Sequence, residues 1–227
     1  SIDYPKKFIE SNVNGVFSLL NSIKKYNKKN RKKVKFIQIS TDEVYGTLKQ
    51  YDDSFTENTP LAPNSPYAAS KASADMLCRS FYETYGYPIT ITRCSNNYGP
   101  NQYPEKLIPL MIEKAKNDEK LPVYGDGSNI RDWVHVQDHC EAIDLVLHSG
   151  KVGEVYNIGG ECEKTNMDIV KYILFQLNKG YQQIEYVQDR LGHDWRYSVD
   201  ISKIKNELDW TPKINFEKGI GNLLNEK

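Results

Sequence analysis

Nowhere do the 227 residues hold an apolar run near the roughly 18 residues that a membrane-crossing helix needs. Net charge is missing too: 30 lysines and arginines balance 30 aspartates and glutamates, so no global field calls for nucleic acid or an anionic membrane. The four cysteines (Cys78, Cys94, Cys140, Cys162) show no paired spacing. That excludes a legible disulfide or zinc framework and leads us to expect reduced thiols in a cytoplasmic protein. No Gly-x-Gly-x-x-Gly occurs, and Gly159-Gly160 and Gly125-x-Gly127 lack its spacing and strand-to-helix setting. The usual backbone cradle for a dinucleotide pyrophosphate is therefore absent from these residues. What is present, 39% apolar and 26% charged, is an ordinary globular composition, enough for one large or two small domains.

The informative stretch runs from Ser40 to Lys71. An apolar run over 34–39 reads as a buried strand and leads into Thr41-Asp42-Glu43, with Gly46 closing the segment. In an open parallel sheet, ligands bind at the carboxyl ends of strands. Two adjacent acids there serve as separate acid and base if their surroundings push their pKa values apart. Further on, Ser65 and Pro66 suit the N-cap and first turn of a helix. On that helix Tyr67 and Lys71, four apart, share one face. A lysine ammonium beside a phenol favours the phenolate, and such a tyrosine takes a proton from an alcohol as a hydride leaves the same carbon. Taken singly, the Tyr–Lys spacing reads as a surface pair and Asp-Glu as a solvated loop; together, at a strand end and a helix start, they read as a catalytic set.

Elsewhere, Asp3 with Pro5 reads as a helix start, followed by an apolar stripe (Phe8, Ile9, Val13, Val16, Phe17, Leu20, Ile23) that suits either core packing or a dimer face. The basic run over 24–33 reads as a solvated loop, with neither aromatics nor net charge to support nucleic-acid contact. The Tyr67 helix is expected to end at Gly86, with a strand over 89–92 after it. Residues 107–112 read as a short helix and 121–124 as a strand. Asp138 and Glu141 suggest a capping box, Thr165 a helix cap, 184–187 a strand, and Ile201, Ile204 and Leu208 a terminal helical stripe. His135 and His139 straddle a helix start and do not share a face, so no metal site is expected. The alternation argues for an α/β fold with a doubly wound parallel sheet.

The residues just named carry a resemblance. Tyr67-x-x-x-Lys71 resembles the extended short-chain dehydrogenase/reductase superfamily, and Ser40-Thr-Asp-Glu-Val-Tyr-Gly46 is similar to the dTDP-glucose 4,6-dehydratase family. The likeness continues through 94–102, 104–109, Tyr124-Gly-Asp-Gly127 with Ile130-Arg-Asp-Trp133, 156–160 and 189–194. It implies a Rossmann-like sheet, N-terminally incomplete, with a second, smaller α/β nucleotide-sugar domain. The expected division gives 1–96, 128–149 and 199–227 to the first and 97–127 and 150–198 to the second. Such a chain starts partway through its dinucleotide-binding domain, and a fragment is the expected explanation of the missing glycine loop.

Function follows from the same resemblance. An NAD-dependent dehydration of a nucleotide-activated hexose, dTDP-glucose by this likeness, is implied: C4 oxidation, loss of water across C5 and C6, and hydride return to C6. Tyr67 is implied as the base at the 4-hydroxyl, Lys71 as its modulator and ribose ligand, and Thr41 as a hydrogen-bonding partner of the 4-oxygen. Glu43 is implied as the C5 base and Asp42 as the acid for the leaving 6-hydroxyl. Asn97 is implied to face the cofactor. Asn96, Lys106, Leu107, Tyr124, Arg131, Asn157, Asp189, Arg190 and His193 are implied to hold the nucleotide sugar. Arg131 suits a diphosphate but also an ion pair with Asp132. Leu191 and Trp195 depart from the family's usual proline and arginine. A homodimer is implied, and a related epimerase or decarboxylase, or a non-catalytic sugar-nucleotide-binding module, are the alternatives.

Overall fold

The computed structural model describes residues 1–225. Its strands are β1 (Phe36–Thr41), β2 (Ile89–Cys94), β3 (Asn96–Tyr98), β4 (Leu121–Tyr124), β5 (Ile130–His135), β6 (Val155–Ile158), β7 (Glu163–Thr165) and β8 (Ile184–Val187). The helices are α1 (Pro5–Phe8), α2 (Gly15–Asn30), α3 (Pro66–Tyr85), α4 (Leu107–Lys116), α5 (Val136–Ser149), α6 (Asn166–Gln176), α7 (Ser202–Leu208) and α8 (Phe216–Asn225).

β1, β2 and β6 form a parallel sheet in that order, in a register that sets Thr41 level with Cys94 and Cys94 level with Ile158. All three carboxyl ends therefore lie on one edge. β5 pairs parallel with β3 and antiparallel with β7, and β4 pairs parallel with β8. The expected α/β parallel-sheet architecture is what the chain adopts.

Three apolar clusters fill the interior. One gathers Val44, Tyr45, Phe55, Tyr156, Ile158 and Val199 beside the first sheet. A second joins α4, α6 and α8 through Ile108, Met111, Ile169, Ile173, Phe216 and Ile220. A third packs Leu20, Cys78, Phe81, Ile89 and Ile91 between α2, α3 and the sheet.

Local chemistry explains the boundaries of α3. The Ser65 hydroxyl accepts the Ala68 N–H, Pro66 occupies the first turn, and Gly86 caps the end in the left-handed region, where glycine meets no steric penalty. Gly46, at φ 96°, closes the turn after β1; a Cβ there would stand 2.6 Å from the Ala62 carbonyl oxygen.

Several expectations need correction. Asp3 caps nothing: Tyr4 holds the N-cap position without a side-chain bond, and α1 runs through a π-helical stretch (Ile9–Asn14) into α2. Of the apolar stripe only Leu20 is buried, while Ile9 and Phe17 stay exposed. The basic run is not a loop, because α2 continues to Asn30; its cations sit at the helix C-terminus, where the macrodipole favours them. The first strand begins two residues late and ends at Thr41. The helix after β5 is capped by His135, whose Nδ1 accepts the Gln137 N–H. Asp138 instead accepts the Lys213 and Ile214 N–H groups, and Glu141 pairs with Lys213.

α6 offers a direct check on the second core. Ile173 is fully buried and Phe175, two residues on, is 69% exposed. Ile173→Ala is expected to cost about 2–5 kcal/mol in denaturant unfolding, and Phe175→Ala less than about 0.5 kcal/mol. Equal losses would contradict the packing described.

Candidate active site

A cavity of about 550 Å3 opens at the carboxyl edge of the sheets. Glu43 faces it from the turn after β1, Tyr67 from α3 and Asn96 from β3. Lys106, Leu107, Tyr124, Arg131, Arg190 and His193 face it from the other elements, and Ile2 and Phe8 also border it. Of the residues implicated by sequence, these are the ones brought to one space.

The acid pair owes its position to β1. Thr41 ends that strand in extended conformation and caps a single 3-10 turn, Asp42–Tyr45, its Oγ1 accepting the Glu43 N–H. Thr41 Oγ1 also donates to Asp42 Oδ1 at 3.2 Å, while Asp42 Oδ2 is buried without a hydrogen-bond partner among the described residues. Burial raises the Asp42 pKa well above the ordinary value, and Glu43 and Asp132 add to the rise. Glu43 is raised by burial as well, but Lys106 and Arg131 pull it back down. The two environments thus differ in the way that separates an acid from a base.

Tyr67 and Lys71 lie one turn apart on α3, with the Phe8 ring edge-on to Tyr67 at 5.6 Å. The expected lowering of the phenol by Lys71 is not what the structure gives. Burial, then Glu43, Cys94 and Asp42, push Tyr67 above its ordinary value. The Lys71 ammonium is turned to the Ile39 carbonyl instead. Of its three N–H donors, this uses one among the described residues, so the group retains the capacity to hold a pair of ribose hydroxyls. That donor set fits the nicotinamide riboside end of NAD, while the pyrophosphate lacks a glycine cradle within these residues.

Arg131 does not pair with Asp132. Neighbours on a strand point to opposite faces; Asp132 accepts the Gly160 and Cys162 N–H groups, and Arg131 lies over the Tyr197 ring and donates to the Ile130, Asp194 and Trp195 carbonyls. Arg190 stacks on Tyr124 and meets His193, whose Nδ1 bonds Asp189 at 2.6 Å; Asp189 thus acts behind the wall, not in it. Two implied ligands are held elsewhere. Asn157 is fully buried, joined to Tyr45, Phe55 and Glu57, because its strand position faces the first core. Asn97 is engaged with Cys94, the Ser95 carbonyl and His139, the latter a neutral imidazole pushed down to about 4 by burial.

Sequence reasoning missed Tyr197, Phe8 and the Asn12 amide, which donates to Ser70 Oγ, itself bonded to the Tyr67 carbonyl. Spacing gave no signal for any of them, since their contacts span long sequence separations. Another hollow, of about 600 Å3 beside Cys140, His148 and Trp210, is a surface feature whose Asp144–His148 and Glu141–Lys213 groups already pair with each other.

A family profile described as GDP-mannose 4,6 dehydratase matches residues 1–223. A dTDP-glucose 4,6-dehydratase of Xanthomonas campestris is 52% identical, over 97% of this chain and 66% of its own length. The chain thus spans about two thirds of the length of such curated relatives. The crystal structure of a dTDP-glucose 4,6-dehydratase from Bacillus anthracis, in complex with NAD, is 56% identical with a TM-score of 0.89, over 95% of this chain and 67% of that one. That of DesIV, a dTDP-glucose 4,6-dehydratase from Streptomyces venezuelae with NAD and TYD bound, is 45% identical with a TM-score of 0.94, over 99% of this chain and 67% of that one.

Burying Asp42 has a cost that pH exposes. Its folded-state pKa is raised, so its contribution to stability is complete below the ordinary value of 3.8 and is lost as pH rises through the raised one. Asp42→Asn is therefore expected to stabilise the protein at pH near 7, by on the order of 1 kcal/mol or more, with the gain vanishing in acid. Denaturant midpoints at the two pH values check this, and destabilisation at neutral pH would contradict it.

Proposed function

Because the chain belongs to the GDP-mannose 4,6-dehydratase family, we propose that it forms the substrate-binding and catalytic part of an NAD-dependent dehydratase acting on dTDP-glucose. The observation that carries this reading is the convergence of Glu43 and Tyr67 on one cleft, with Asp42 buried directly behind. A related epimerase or decarboxylase would not need a second buried acid, and a module that only binds would not need either. The choice of dTDP is supported by relatives about half identical that carry that name.

When bound, NAD+ would supply the hydride acceptor for substrate C4 and, once reduced, the hydride that returns to C6 as Glu43 gives its proton back to C5. Tyr67 takes the 4-hydroxyl proton, and Thr41 steadies the same oxygen. Lys71 holds the ribose with its remaining donors. Once C4 is a ketone, the C5 proton is acidic enough for a carboxylate, and Glu43, the more readily ionised of the pair, removes it. Asp42, whose pKa burial raises, gives its proton to the departing 6-hydroxyl, which leaves as water. Arg131, Lys106 and Arg190 bring positive charge to the diphosphate, the fork of an arginine suiting two of its oxygens. Asn96, Leu107, Tyr124 and His193 shape the remainder of the sugar-nucleotide cleft.

The reading gives 1–96, 128–149 and 199–227 to the cofactor side and 97–127 and 150–198 to the sugar-nucleotide side. The separate cores support it only in part: Phe216 and Ile220 of α8 and Trp133 pack in the second cluster, whereas Tyr156 and Ile158 of β6 and Tyr197 pack in the first, so we assign α8 to the sugar-nucleotide side and β6, which pairs with β2, to the cofactor side. It also includes a homodimer, supported by Ile9, Phe17, Met76 and Tyr85, exposed on the N-terminal helical stretch and α3. A cytoplasmic location is supported by four free cysteines.

In the full polypeptide with NAD+ and dTDP-glucose, a 4-keto-6-deoxy product is expected by NMR. Glu43→Gln and Tyr67→Phe should each lower kcat by about 10²–10⁴-fold. Wild-type rates in either variant, or a product retaining its 6-hydroxyl, would overturn the assignment. Phe17→Asp is expected to shift the protein from dimer toward monomer in light scattering, and an unchanged mass would remove the proposed dimer face.

A further inference from the structure

A buried chain of polar groups runs beneath the cleft, and none of its side chains lines it. Asp75, fully buried on α3 one turn beyond Lys71, accepts from Ser40 Oγ and from Arg93 Nε, each at 3.0 Å. Arg93, on β2, donates through Nη1 to the Tyr45 hydroxyl at 2.9 Å and lies over the Tyr45 ring. Tyr45 ends the turn that carries Asp42 and Glu43; its hydroxyl donates to Asn157 and its ring stacks on Phe55 at 5.0 Å.

A buried ion pair is seldom retained for stability alone, since desolvation cancels much of its attraction. The position of this one suggests its use. We propose that Asp75 and Arg93 are positioning residues that hold the two halves of the site in register. Asp75 anchors the helix bearing Tyr67 and Lys71 to β1, and Arg93 carries that constraint through Tyr45 to the turn bearing Asp42 and Glu43. This inference rests on the dehydratase reading, in which oxidation at C4 and elimination across C5 and C6 use different halves. Asp75 also acts on Lys71 directly, since its carboxylate favours the charged form of that lysine, which burial disfavours and which Cys94 on β2 and Cys78 on α3 also face.

Three variants separate these claims in the full polypeptide. Tyr45→Phe removes only the hydroxyl, and Arg93→Lys keeps a charge beside Asp75 but loses the fork that reaches Tyr45. Both are expected to lower kcat roughly tenfold with little change in KM, as misplacement of a catalytic group does. Both should also raise the kinetic isotope effect of C5-deuterated dTDP-glucose above wild type, because elimination has become slower than oxidation. A fraction of misfolded enzyme would lower kcat and leave the isotope effect alone; that result, or wild-type kinetics in folded Tyr45→Phe, overturns the coupling. For Asp75→Asn, acylation of Lys71 read by mass spectrometry across pH needs no substrate. The profile is expected to move to lower pH, and an unmoved profile overturns the anchor. Should wild type form no product, the dehydratase reading fails, while the acylation profile still decides the role of Asp75.

Discussion

Parallel strands cannot be joined by a hairpin, so the chain must cross over a sheet face between β1 and β2. That crossover is α3. Its start is fixed by Ser65 and Pro66 at the carboxyl edge of β1, so Tyr67 and Lys71 fall in the first two turns, beside the residues that end the strand. Had the pair been placed in the last turns, it would stand at the opposite edge of the sheet. The chemistry proposed here therefore depends on the parallel register of β1 and β2 before it depends on any side chain.

The same edge concentrates charge where water is scarce. Asp42, Glu43, Arg131 and Tyr67 are all withdrawn from solvent to different degrees; burial is the first cause of each shift, and Glu43 adds to the rise at both Asp42 and Tyr67. Burial of an acid disfavours its charged form, and at Asp42 the Arg131 cation offsets only part of that, so the pKa stays raised. Such strain is tolerable because three apolar clusters stabilise the elements that carry it.

Much of this was legible in the sequence. The caps of α3, the strand over 184–187 and the helix capped by Thr165 are local events, written in residues adjacent to their effects. The acid pair and the Tyr–Lys spacing likewise lie within one stretch. What escaped depends on distant partners. Asn157 and Asn97 carry the chemistry of ligands, yet Asn157 is engaged by Tyr45, Phe55 and Glu57, and Asn97 in part by His139, groups that only the fold brings near. His135 caps the helix whose start the spacing assigns to Asp138 and Glu141, because Asp138 is drawn to the backbone after α7. The fall in the Tyr67 pKa expected from spacing alone failed for a related reason: four residues on a helix set proximity, whereas burial and nearby carboxylates set the energy of the phenolate.

At the centre of the account stand two adjacent carboxylic acids, Asp42 raised well above its ordinary value by burial and Glu43 raised by burial but drawn back by Lys106 and Arg131. Carbon-13 NMR of labelled Asp42 and Glu43, each assigned by its asparagine or glutamine variant, measures that difference directly. The account predicts that both titrate above their ordinary values, 3.8 and 4.5, with Asp42 the higher of the two. Ordinary titration of both groups, or Glu43 retaining its proton to higher pH than Asp42, would contradict it.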